Sequence, residues 1–231
     1  IIDTEDREIF VQKLNEIDAK TIKVLNPKEV VFEGGRELEL DAVSEVPRYY
    51  VCNAYGVCGI YSAPGTAVKE AYDTSGIVTN DRGVTVWLKG NRVSRNQIMA
   101  IKEESVTEQK NSLAVCLDNI LRHAGITRNT EYDLAQGKTA TTILSENMTG
   151  VQVLDLSGCT LDAVLYYVNQ DIPVLAILED GEAVLVTGFN EFNVVIMEPA
   201  TGKLYKKGMN DATAWFAENG NHFITYMRTE N

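Results

Sequence analysis

The chain has 231 residues, enough for one large or two ordinary domains, and its 45% apolar and 23% charged content is that of a folded protein. Thirty-three acidic against 21 basic residues give a formal net charge of −12, a field that repels phosphate backbones and anionic lipid heads and argues against nucleic-acid partners. No apolar run reaches the roughly 18 residues of a transmembrane helix, so no membrane insertion is expected within this chain. It opens on Ile1 rather than Met, with no secretory signal pattern after it, and reads as a piece of a longer protein.

The first residues carry Asp3, Glu5 and Asp6, then Ile9, Phe10, Leu14 and Ile17 at helical spacing. Thr4 is the candidate cap, and Pro27 closes the stretch. Short strands are expected over 30–32 and 38–40, around Gly34 and Gly35. Arg48 to Val57 reads as strand and Ala67 to Tyr72 as a helix entered at Pro64 and left at Gly76. Runs 77–79 and 84–88 form a hairpin around the turn at 80–83. Residues 1–104 thus read as an N-terminal α+β region of undisclosed role, divisible into modules 1–46 and 47–104. The polar run 102–110 marks the boundary, and 105–231 forms the second domain.

Past that boundary, Leu113, Val115, Cys116, Leu117, Ile120 and Leu121 give an apolar helical face that Gly125 ends. A helix over 135–147 and an extended run over 151–156 follow, and Thr160 caps a helix bearing Leu161, Val164, Leu165 and Val168. Three β-runs come next, over 173–178, 183–189 and 193–197, then a helix over 211–218 and a last strand over 222–227. Helices first and an antiparallel sheet second make an α+β domain rather than a βαβ array.

Four cysteines stand at 52, 58, 116 and 159, too few and too scattered for a disulfide scaffold. Cys52 and Cys58 bracket a turn and can bridge in an oxidising compartment, although free, half-buried thiols on a strand pair are the favoured reading. Two histidines and no CxxC or HExxH leave zinc without ligands, and neither GxxxxGK[ST] nor GxGxxG is present. The acidic pair Glu179 and Asp180 reads as a solvated turn rather than a calcium site. No metal or cofactor is expected.

Four segments carry a resemblance: Leu161-Asp-Ala-Val-Leu165, Asp171-Ile-Pro-Val-Leu-Ala176, Gly181-Glu-Ala-Val-Leu-Val-Thr-Gly-Phe189 and Val195-Ile-Met-Glu-Pro-Ala-Thr-Gly202. In order and separation they resemble the C39-like peptidases, papain-fold cysteine peptidases whose second, third and fourth segments read G-x-PV, GHxVVVTGYD and V-DP-x-x-G. The resemblance spans about residues 105–228 and implies a papain-like (C39 peptidase-like) C-terminal domain.

That family's chemistry needs a thiolate at a helix N-terminus, an imidazole on the facing strand and a group to orient the imidazole. The resemblance carries the nucleophile's place to Ser112, with Leu113 one residue of slippage away. It carries the histidine's place to Glu182, the orienting Asp to Glu198, and the oxyanion-hole Gln to Gln109, which lies closer to Ser112 than the family's spacing. A carboxylate is a weak base for a hydroxyl, and Glu198 has no imidazole to orient. The implied reading is a cysteine peptidase homologue without peptidase activity, a pseudoenzyme, with no catalytic residues. Ser112, Glu182 and Glu198 are expected to converge at the end of one cleft.

The alternative is an active cysteine peptidase with Cys116, one turn deeper on the same helix, as nucleophile. The competing reading of Cys116, a small apolar residue at the helix–sheet contact, is preferred. His123 lies two turns along from Cys116, and His222 opens the last strand, so both read as structural. Cys159, at a helix start, is open to a lowered thiol pKa or to a plain turn role. A cleft without its dyad can still hold an extended peptide by strand-edge pairing. Tyr166, Tyr167 and Tyr205, taken as surface residues, and the acidic balance suit a peptide or protein ligand of basic character. The equal alternative is a structural module contacting other domains of its parent chain. The resemblance and the missing start Met together suggest a multidomain bacterial protein, extracellular or at the cell surface.

Overall fold

The computed structural model describes residues 47–56, 58–90 and 111–229, together with the backbone of three strands before them. Those strands, β1 (Ile22–Asn26), β2 (Glu29–Phe32) and β3 (Arg36–Leu38), form an antiparallel meander. The helical reading of the first 25 residues therefore ends before Ile22. Ile22 pairs with Phe32 and Val24 with Val30, and β-branched residues at alternate positions suit a pleated ladder. The expected helix from Thr4 to Ile17, the polar run 102–110 and Gln109 lie outside the described residues.

A second sheet contains β4 (Tyr49–Cys52), β5 (Cys58–Tyr61), β6 (Ile77–Asn80) and β7 (Thr85–Leu88) in the order β5-β4-β6-β7, every pair antiparallel. Helix α1 (Pro64–Thr74) covers it, with Pro64 in its first turn and Ser75 left-handed at φ 55° as its stop. The strand expected over 48–57 ends at Cys52, and a second strand, β5, begins at Cys58. Gly56 donates its N–H to the Asn53 carbonyl at 3.0 Å and folds the chain back. The same fold-back sets Cys52 directly opposite Cys58, and the two are bridged; the free-thiol reading is overturned by this pairing.

The remaining elements are α2 (Ser112–His123), α3 (Glu131–Ala135), α4 (Ala140–Asn147), β8 (Val151–Asp155), α5 (Leu161–Val168), β9 (Val174–Ile177), β10 (Ala183–Phe189), β11 (Asn193–Glu198), β12 (Lys203–Gly208), α6 (Met209–Glu218) and β13 (His222–Arg228). The strands build a six-stranded sheet, β12-β11-β10-β9-β13-β8, antiparallel throughout. The helix expected over 135–147 is confined to α4, and Ala135 instead closes the preceding short helix α3. Gly137 turns left-handed at φ 80°, and Thr139 starts a new helix by accepting the Thr142 N–H. Strand β12 is unanticipated, because a Lys-Leu-Tyr-Lys-Lys run has no clean alternation, yet it pairs with β11 from Glu198–Lys203 to Asn193–Gly208.

Both faces of this sheet are covered: all seven residues of β10 are buried. Register puts Phe223, Ala176 and Val184 on one face, where the Phe223 ring meets Phe216 of α6 at 5.2 Å. Helices α5 and α6 cover that face, and α2 and α4, packed on each other, cover the opposite one. The four-stranded sheet joins the same core. Trp87 donates its indole N–H to the Ala163 carbonyl at 3.0 Å, and Tyr167 its hydroxyl to the Val86 carbonyl at 3.1 Å. Gln152 bridges Tyr49 and Asn80, and the Cys159 thiol reaches the Gly65 carbonyl. A side chain at Gly65 would stand 2.9 Å from the Ser157 carbonyl, so α1 approaches β8 closely because this position is glycine.

Candidate functional site

The N-terminus of α2 meets the start of β10. Asn111 caps the helix, its side-chain oxygen accepting the N–H groups of Leu113 and Ala114 at 2.9 and 3.2 Å. Ser112 follows, only 9% exposed, and its Oγ accepts the backbone N–H of Ala183 at 3.0 Å. The geometry explains why that amide is free to be taken. Glu182 turns its carbonyl toward β9, where it accepts the Leu178 N–H, so Ala183 aims its N–H the other way, toward β11. Strand β11 has already ended at Glu198, which by the ladder register stands opposite Val184. A serine hydroxyl from α2 occupies the place the missing strand partner would hold.

Ser112 and the backbone beside Glu182 are thus brought together. The Glu182 side chain is exposed, and its N–H is held by the Asp180 carboxylate at 2.9 Å in a tight turn. Glu198 ends β11 on the same sheet face and at the same sheet end as Glu182, where it accepts the Thr201 hydroxyl at 2.8 Å inside its own hairpin. Neither carboxylate shares a hydrogen bond with Ser112 among the contacts of the described residues. Gln109 lies outside those residues.

Cys116 is fully buried, in the contact between α2 and the sheet. Burial pushes its thiol far above the usual range, and the nearby Glu182 charge pushes it further in the same direction. Neither histidine serves it. His123, at the far end of α2, bonds by Nε2 to the Asp171 carbonyl at 2.7 Å, and His222 is exposed at the start of β13. The lowered pKa open to Cys159 is contradicted: burial pushes its thiol up to about 12, against a smaller opposing pull from Lys69. The tyrosines taken together as surface residues differ. Tyr205 is exposed, Tyr166 is half-buried, and Tyr167 is a core residue whose hydroxyl is used by Val86.

Two contributors to this site escape a motif-led reading. Asn111 sets the first turn of α2, and an Asn before an apolar helical run is a cap signal legible in sequence. Asp118 holds the Thr130 N–H at 2.9 Å, while the Thr130 hydroxyl returns to the Ala114 carbonyl at 3.2 Å. These bonds tie the loop after α2 to its first turns, and no sequence signal announces them. No cluster of three or more His, Cys, Asp or Glu side chains able to hold a metal ion occurs among the described residues. Nor is any described helix long and apolar enough to cross a membrane.

No protein-family model matches the sequence, and no curated protein matches it significantly. Among solved structures the chain is similar to one described as a "putative C39-like peptidase" from Bacillus anthracis, at 12% identity and a TM-score of 0.48. That similarity covers 59% of this chain and 100% of the other. At this level it assigns neither family nor activity to the chain.

Proposed function

We propose that residues 105–231 form a C39-peptidase-like domain of papain type that does not hydrolyse peptides. With the modules 1–46 and 47–104 before it, it serves as a peptide-binding or structural part of a larger bacterial surface or secreted protein. The observation that carries this reading is the commitment of Ser112. Its oxygen, at the head of the helix, is held by the Ala183 amide, and the residue beside that amide is Glu182, a carboxylate where an imidazole would be needed. A hydroxyl without a strong base nearby is a poor nucleophile. The burial of Cys116 and the upward push on its thiol weigh against it as a substitute. The Cys52–Cys58 bridge supports an extracellular or cell-surface setting, since such bridges persist where the surroundings oxidise. The net charge of −12 favours a ligand of basic character.

The test is thiol labelling of the native protein with iodoacetamide near pH 7, each modified cysteine located by mass, alongside cleavage assays on a mixed peptide library. The expected result is that Cys116 and Cys159 stay unmodified until denaturant is added and that no peptide is cut. Rapid labelling of Cys116, slowed by a peptide aldehyde, together with cleavage that the aldehyde blocks, overturns the reading and makes the domain a working cysteine peptidase.

A further inference from the structure

Strand β12 is one margin of the six-stranded sheet, with β11 on one side of it. Its register fixes which of its backbone groups bond β11. Just past the strand, Met209 gives its N–H to the Phe192 carbonyl at 2.7 Å, and in an antiparallel ladder the bonded pairs recur at every second position. Tyr205 opposite Ile196 and Lys207 opposite Val194 are therefore the residues that bond β11. Leu204 and Lys206 turn their N–H and C=O groups away from the sheet, and among the described residues these groups meet no hydrogen-bond partner. The Thr187 hydroxyl agrees with this: it reaches the Val195 carbonyl at 3.4 Å on the far side of β11, and Val195 stands opposite Lys206.

The same strand concentrates positive charge. Only seven Lys and Arg residues follow Ser112, and three of them, Lys203, Lys206 and Lys207, stand on β12. Lys203 and Lys206 are exposed, and neither takes part in an ion pair among the described residues. Lys207 Nζ rests 5.1 Å from the centroid of the Trp215 ring. Lysines along an edge keep it from pairing with its own kind. Two antiparallel copies of β12 set Lys203 against Lys207 in the register centred on Tyr205, and Lys206 against its own copy in the register centred on itself. The same charges favour a strand that carries carboxylates at those places.

We propose that the open edge of β12 docks an extended acidic segment of a partner protein, which joins the six-stranded sheet as a further strand. Its backbone bonds the outward N–H and C=O groups of Leu204 and Lys206, and its carboxylates stand opposite Lys203, Lys206 and Lys207. At contact range the three lysines set the sign of this ligand, while the net charge of −12 acts from farther off and is screened by salt. The edge is distinct from the α2–β10 junction, and the inference does not depend on whether that junction is catalytic.

The experiment titrates the full chain into a fluorescein-labelled peptide, Thr-Glu-Glu-Thr-Val-Glu-Thr, and follows its anisotropy. Laid antiparallel on β12, the peptide sets its glutamates opposite Lys207, Lys206 and Lys203. One control replaces every Glu by Gln. A second keeps the charge but is N-methylated at the second Glu and at Val, the residues set opposite Lys206 and Leu204. Saturable binding is expected, about five-fold weaker or more for the Gln peptide and about ten-fold weaker or more for the N-methylated one. K206E is expected to weaken binding at least about five-fold, and K69E, the same change of charge at an exposed residue of α1, less than about two-fold. L204P removes an outward N–H while sparing the β11 ladder, and is expected to weaken binding as N-methylation does. Equal binding of the N-methylated peptide means charge attraction without strand pairing and overturns the proposal, as do equal binding of the Gln peptide, matching effects of K69E and K206E, or no saturable binding up to about 1 mM. Self-association of the parent chain that L204P abolishes makes a second copy the occupant and overturns it too.

Discussion

Replacing Ser112 by alanine takes one oxygen away from a nearly buried position and leaves the backbone of α2 intact. The Ala183 N–H that it held at 3.0 Å belongs to a residue 1% exposed, so water cannot readily take the oxygen's place. An unpaired buried donor costs about 1–3 kcal/mol. Alanine favours the helix slightly over serine and returns a few tenths of that. The net expectation is a loss of about 1–2.5 kcal/mol, or roughly 2–10 °C in Tm for a chain of this length. Denaturant titration measures the energy, and amide hydrogen exchange locates it. The Ala183 amide should lose protection in S112A, whereas the Leu185 and Val186 amides, set within ladders on both sides, should keep theirs. S112C should fall between, since sulfur is a weak acceptor. An S112A protein with unchanged stability and an unchanged Ala183 exchange rate would falsify the account of Ser112 as a substitute strand partner.

Two other outcomes follow from the same accounting. Y167F leaves the Val86 carbonyl without its 3.1 Å donor in the core shared by the two sheets. It should cost about 1–2 kcal/mol in chemical denaturation while keeping a single transition; a second, separate transition would show that the sheets do not unfold together. Asp133 is held below the usual carboxylate range by hydrogen bonds from Arg128 and then Lys138, at 2.9 and 3.2 Å. A lowered native pKa means its contribution is complete above the ordinary carboxylate range and is lost as pH falls through the depressed value. Stability measured against pH should therefore drop less on the acid side in D133N than in the parent, and parallel acid limbs would disprove the coupling.

Much of the chain from Ser112 onward was legible because its signals are local. Thr160 before an apolar helical stripe, Gly125 after one, and alternating runs broken by Glu179-Asp180-Gly181 and Asn190-Glu191 all mark elements that the structure contains. The misreadings arise where a residue's role is settled by a distant partner. β12 is a strand because β11 offers it a ladder, not because its own sequence alternates. Cys52 and Cys58 bridge because a tight turn sets them in one register pair, which spacing alone leaves open. Tyr167 resembles a surface tyrosine in sequence, yet its hydroxyl has a carbonyl from a strand 81 residues away. In the candidate site, the identity of Ser112 and Glu182 was readable and their proximity followed from the resemblance. That Ser112 contacts the backbone beside Glu182, rather than its carboxylate, was not readable, because it depends on where β11 stops.

That last point bears on what the site can do. A nucleophile at a helix head must have its lone pair and its proton free for chemistry, with a base aimed at the proton. At the head of α2 the hydroxyl oxygen already accepts a buried amide whose alternative is to go unpaired, so moving it toward a substrate would cost the same 1–3 kcal/mol that S112A loses. Glu198 is likewise occupied locally, by Thr201 in its hairpin, while Glu182 acts through its backbone, giving its N–H to the Asp180 carboxylate and its carbonyl to the Leu178 N–H, with its own side chain exposed. Each of the three residues thus has a task in closing one end of the sheet. The Ser112 hydroxyl and the Glu198 carboxylate are accounted for by their bonds to the Ala183 N–H and the Thr201 hydroxyl.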